Sequence, residues 1–127
     1  MNDAPQRPTI LIVDDTPANI DLIKSMLRET CKVKAATDGE SALRIAAKAP
    51  GPDLILLDVM MPGMDGHETC RRLKSDPLTA AIPVLFVTAR EDDAERARGL
   101  ALGALGYVAK PIDATELLER VAAVLGG

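Results

Sequence analysis

The 127-residue chain contains no tryptophan, one tyrosine, one phenylalanine and one histidine. An interior with so few large rings has to be aliphatic, and 47% hydrophobic residues suffice for one such core. A second domain is excluded by length, because neither half could bury a sizeable core of its own. Cysteine is scarce as well: Cys31 and Cys70 are too few and too isolated for a disulfide framework or a zinc site. They read as reduced, mostly buried thiols of a cytoplasmic protein. The opening MNDAPQRP has no apolar centre and is no secretion signal, so residues 1–8 are expected to form a flexible leader to a domain over 9–127. No hydrophobic run approaches the length of a membrane span. Basic excess is missing too: net charge is -4, with lysines and arginines scattered among acids. Direct nucleic acid binding through phosphate neutralisation is therefore not expected.

What the chain does have is alternation. Short apolar runs occur at Thr9 to Val13, Lys32 to Ala36, Asp53 to Leu57, Val84 to Val87 and Tyr107 to Ala109. Three of them are almost wholly aliphatic, as expected of parallel strands covered on both faces. Helical segments with their own start signals lie between. Thr16 precedes Pro17, which suits a first helical turn. Thr37 with Glu40, Asp65 with Glu68 and Asp113 with Glu116 each have the spacing of a capping box. Five strands alternating with five helices predict an α/β fold, a doubly wound five-stranded parallel sheet.

Polar residues punctuate the strand ends. Asp14 and Asp15 follow TILIV, Asp58 follows DLILL, and Lys110 follows GYVA and precedes Pro111. Carboxylates at the ends of buried strands repel one another and are costly unless compensated, which predicts a metal-dependent acidic pocket. In open α/β sheets the crevice lies outside the carboxyl ends of the strands, where strand order reverses. The order 2-1-3-4-5 makes sense of the acids, because it sets the first strand beside the third.

The segments ILIVDD, DLILLDVMMPGMDG, VLFVTA and YVAKP, in this order and spacing, resemble the receiver domain of two-component response regulators. The resemblance runs from Thr9 to about Leu125 and implies a flavodoxin-like (β/α)5 fold with that strand order. It implies that Asp58 is the phosphoacceptor, attacking a phosphoryl group to give an acyl phosphate. Mg2+ is the implied cofactor, with Asp15, Asp58 and the backbone carbonyl of Met60 as direct ligands and Asp14 acting through a bound water. Lys110 would supply a point charge to the phosphoryl oxygens, and a cis peptide before Pro111 would aim it into the crevice. Thr88 resembles the hydroxyl that binds the new phosphoryl group. Its inward movement would vacate space for Tyr107 and repack the face of the fourth helix, fifth strand and fifth helix.

The implied partners are a sensor histidine kinase or histidine phosphotransfer protein on the input side. On the output side stands a downstream protein or an output domain missing from this chain, and the resemblance allows for a homodimer on phosphorylation. Catalysis is expected to be confined to the domain's own phosphorylation and dephosphorylation, since no cap insertion builds a substrate pocket. The alternative is an interaction module that works without phosphorylation, although such modules typically lose an acid or the lysine. Gly99 inside the fourth helical segment has two readings, a weakened helix at the switch (up to about 1 kcal/mol relative to alanine) or a packing accommodation. His67 reads as a surface residue, and the side chains of Met60, Met61 and Met64 as apolar loop packing.

Met60 and Arg90 stand two residues after Asp58 and Thr88 and, by the resemblance, flank the phosphoryl group. Their bulk is expected to hinder the hydrolytic water and lengthen the life of the acyl phosphate. Replacing both (Met60→Asn with Arg90→Glu) should speed dephosphorylation; an unchanged hydrolysis rate contradicts this.

Overall fold

A computed structural model describes residues 7–89 and 93–126 of the chain. The elements are β1 (Thr9–Val13), α1 (Pro17–Leu27), β2 (Lys32–Ala36), α2 (Gly39–Ala47) and β3 (Leu54–Asp58), followed by α3 (Gly66–Ser75), β4 (Val84–Thr88), α4 (Asp93–Ala101), β5 (Gly106–Ala109) and α5 (Ala114–Leu125). The strands form one parallel sheet in the order β2-β1-β3-β4-β5. This is the flavodoxin-like arrangement expected from the acids. The expected leader falls largely on residues 1–6, which lie outside the described residues, as does Arg90.

Alternation along each strand divides the core into two layers. Leu11, Val13, Ile55, Leu57, Val84 and Phe86 pack on one face with Ala42 and Ala46 of α2 and Cys70 and Leu73 of α3. Ile10, Ile12, Leu54, Leu56, Leu85 and Val87 face the other side, against Ile20, Ile23 and Leu27 of α1 and Leu117 and Val121 of α5. β3 and β4 are buried along their whole length, which is why their sequences are continuous apolar runs and do not alternate in polarity. β2 is the exception: it is largely exposed at a sheet edge and carries two lysines, a composition that discourages pairing with another chain. Cys31 and Cys70 are both free and buried, one in each layer.

Local chemistry sets the boundaries, sometimes one residue from where the pattern suggested. The N-cap of α2 is Asp38, not Thr37: the Asp38 carboxylate accepts from the Ser41 amide at 2.7 Å. Aspartate is the stronger cap of the two adjacent candidates, so the helix starts one residue later. Asp65 and Asp113 cap α3 and α5 as expected, accepting from the amides of Glu68 and Glu116, each at 2.9 Å. Asp53 lies just before β3 because its side chain accepts from the Thr9 amide at 2.8 Å while its own amide donates to the Thr9 carbonyl. At its other end the strand includes Asp58, which pairs with Val87 of β4. Thr88 is likewise the last residue of β4.

Candidate functional site

Strand register brings the acids together. Val13 pairs with Leu57 across β1 and β3, so Asp14, one residue further on, is level with Asp58. Val87 stands opposite Asp58, and Thr88 opposite Ala109, which places Thr88 and Lys110 on the same rim. Asp14, Asp15 and Asp58 each offer a carboxylate oxygen within 4.8 Å of the others, Asp14 and Asp58 buried and Asp15 exposed. Lys110 Nζ lies 3.4 Å from Asp14 Oδ2 and 3.5 Å from Asp58 Oδ1, bridging the two buried acids.

The charge balance of this cluster is incomplete. Unit charges about 4 Å apart interact by roughly 4 kcal/mol at the effective dielectric of a protein surface. One lysine makes two attractive contacts of that order, against mutual repulsion among three carboxylates. The residue that registers the deficit is Asp58. Burial first, and then the charge of Asp14, push its carboxyl above the ordinary value, and the opposing pull of Lys110 and the Met60 amide does not cancel them. Hard carboxylate oxygens whose charge one lysine only partly offsets are a donor set suited to a small divalent cation such as Mg2+.

Neighbouring groups hold the acids in place. The Thr16 amide donates to Asp14 Oδ1 at 2.9 Å, and Asn19 Nδ2 lies 3.3 Å from Asp14 Oδ2. Asn19 carries no motif of its own; its position one helical turn beyond the acids was the available signal. Thr16 supplies no side-chain cap to α1, so the N-terminus of that helix is tied to the acidic cluster through the main chain. Gly66 starts α3 directly on the backbone of β3, where a Cβ would stand 2.8 Å from Val59 Cα. Only a glycine lets the helix approach so closely, and no side-chain movement could relieve the clash.

Thr88 is buried at the end of β4, and the Lys110 amide donates to its carbonyl at 2.9 Å. The Lys110–Pro111 peptide is cis. Tyr107 is buried, with its hydroxyl donating to the main-chain carbonyl of Glu95 in α4. Gly99 faces this ring: a Cβ there would stand 2.8 Å from Tyr107 Cζ. Of the two readings of Gly99, the structure supports packing accommodation.

Two expectations require correction. His67 is not a surface residue but is 4% exposed, and its Nε2 lies 2.8 Å from Glu95 Oε1. The single position after Gly66 gave no sign of this, because burial there depends on contacts with Phe86 of β4 and Glu95 of α4, both distant in sequence. Met60 does not pack in its loop. It is 65% exposed, whereas Met61 is buried as expected.

The raised Asp58 carboxyl has a consequence for stability. The folded protein holds this proton to higher pH than the unfolded chain does, so stability falls as pH rises from about 4 through the raised value. Asp58→Asn removes the charge with little change of shape. It is expected to raise the melting temperature at neutral pH, by about 4 °C for each 1 kcal/mol relieved. The gain should vanish as pH is lowered towards 4. Thermal unfolding across pH checks this, and a lower melting temperature for the variant at neutral pH contradicts it.

Known proteins agree with the geometry. The family profile described as the response regulator receiver domain matches residues 10–122. The response regulator PleD of Caulobacter vibrioides is 50% identical over 113 residues, a match covering 88% of this chain and 25% of PleD. The chain thus spans about a quarter of that relative's length. Among solved structures, the chemotaxis protein CheY4 of Vibrio cholerae superposes with a TM-score of 0.89 at 30% identity, covering 94% of this chain and all of that one. The receiver domain of the sensor histidine kinase PA1611 from Pseudomonas aeruginosa, solved with a magnesium ion coordinated in its active site cleft, gives 0.86 at 30% identity, covering 96% of this chain and all of the other. No helix among the described residues is long and apolar enough to cross a membrane. The chain belongs to the response regulator receiver domain family of two-component systems.

Proposed function

We propose that this domain accepts a phosphoryl group on Asp58 from the phosphohistidine of a sensor histidine kinase or histidine phosphotransfer protein. The observation that carries the reading is the placement of Asp58 among Asp14, Asp15 and Lys110, a nucleophile whose surroundings hold more negative than positive charge. An Asp58 oxygen attacks phosphorus, the phosphorus–nitrogen bond breaks, and the electron pair leaves with the imidazole, giving an acyl phosphate on Asp58. Lys110 meets the phosphoryl oxygens as a point charge, and the Thr88 hydroxyl donates to one of them. Asp14, Asp15, Asp58 and the Met60 carbonyl are the residues that would hold Mg2+. When bound, the ion neutralises charge on the phosphoryl oxygens. Met60, exposed at the rim, shields the product from water.

The output is read as a change at the face formed by α4, β5 and α5, where Tyr107 ties β5 to α4. That face would serve a downstream protein, an output domain or a second copy of the chain. The domain acts on no other substrate, and catalysis is limited to its own phosphorylation and dephosphorylation. Free, buried Cys31 and Cys70 support a reducing compartment, the cytoplasm.

Incubation with Mg2+ and acetyl phosphate, followed by intact mass measurement, tests the reading. Wild type is expected to gain one phosphoryl group only when Mg2+ is present, and Asp58→Asn none. An equal gain in the variant, or none in either protein, contradicts the assignment and favours an interaction module that works without phosphorylation.

A further inference from the structure

α4 is attached to the domain in an unusual way. Its buried residues are Glu95 and Gly99, so none of its apolar side chains is buried. A helix without a buried apolar stripe can shift at little hydrophobic cost, and its position is then set by directional contacts. Glu95 makes two polar contacts, a close side-chain approach that lacks hydrogen-bond alignment and a main-chain hydrogen bond. Its carboxylate meets His67 of α3, with Oε1 2.8 Å from Nε2, and its main-chain carbonyl accepts from the Tyr107 hydroxyl of β5. Both His67 and the Glu95 side chain are nearly inaccessible to solvent, where a lost polar contact is costly. The rings of His67, Phe86 and Tyr107 follow one another with centroids 5.3 and 5.4 Å apart. His67 itself follows Gly66, the residue seated on the backbone of Asp58 and Val59. The pair therefore connects a helix start that touches the acidic pocket with the helix that borders Tyr107.

We propose that the His67–Glu95 contact is a latch, holding the first turns of α4 against α3 and thereby keeping the Tyr107 ring in its buried position. With the latch closed, the Glu95 carbonyl is in place to accept from the Tyr107 hydroxyl, and the space left by Gly99 receives the ring. With the latch open, α4 has no buried apolar side chain to hold it there, and the ring loses its hydrogen-bond acceptor. His67 and Glu95 are positioning residues: they touch neither the phosphoacceptor nor its lysine. Their effect on output rests on the reading of Tyr107 as part of the output face, but their effect on the ring does not.

Tyr107 is the sole tyrosine of the chain, so 3-fluorotyrosine labelling of the full protein gives one fluorine NMR signal. Tyr107 is already buried, so in the unphosphorylated wild type that signal is expected to be mostly shielded from a soluble paramagnetic relaxation agent. Inward movement of Thr88 would tighten this burial and not begin it. His67→Leu, which removes the polar contact to Glu95, should raise the population of solvent-exposed rings on the order of tenfold. His67→Gln, which keeps an amide donor near the same place, should restore the shielded signal. Should His67→Leu fail to fold, the double variant His67→Ala with Glu95→Ala removes both members of the contact and should show the same exposed ring. A folded latch-less protein with Tyr107 as shielded as in wild type overturns the proposal, as does a His67→Gln protein that behaves like His67→Leu. Mass gain with acetyl phosphate, measured on the same samples, separates the two readings. Loss of phosphorylation in wild type would undo the proposed function while leaving the position of the ring to decide the latch.

Discussion

Repulsion between carboxylates held close by a rigid sheet is the constraint around which the rest of the molecule is arranged. Asp14 and Asp58 cannot move apart, because β1 and β3 are paired in register and buried on both faces. Relaxation by strand slippage would disrupt the packing of both apolar layers, since a one-residue shift exchanges the faces of every side chain. The strain is therefore retained until a proton or a positive charge relieves it. Lys110 supplies part of that charge by lying between the two buried acids.

The two faces of the sheet carry different duties. α1 and α5 cover one face with ordinary aliphatic contacts through Ile20, Ile23, Leu27, Leu117 and Val121. On the opposite side, α3 begins on the backbone of β3, and α4 is held by polar contacts of Glu95 with no buried apolar side chain. Gly66 sets the start of α3 directly against the backbone of Asp58. The part of the structure best placed to respond is thus also the part least committed by hydrophobic burial, as expected of an element with two accessible arrangements.

Much of this was legible in the sequence, for identifiable reasons. Asp14, Asp15, Asp58 and Lys110 each follow an apolar run, so the strand ends that carry them could be located without knowing the fold. Asp65 and Asp113 announced their helices by capping. The buried His67–Glu95 contact was not legible, because its two members lie in different helices and neither sits in an apolar pattern. The role of Gly99 was equally hidden: a glycine in a helix looks the same whether it loosens the helix or makes room for a ring. Only the position of Tyr107 decides between them. The spacing of Thr37 to Glu40 pointed one residue too early, because it took no account of the better hydrogen-bond acceptor beside it, Asp38.

The central claim is that the acidic cluster is arranged for a cation that arrives later. Titration of Mg2+ into nitrogen-15-labelled protein, followed through backbone amide shifts, tests it most directly. Saturable shifts are expected, centred on Asp14, Asp15, Asp58, Met60 and Lys110, with affinity weakened on the order of tenfold or more in Asp15→Asn. Absence of saturable binding, or shifts centred elsewhere on the surface, would contradict it.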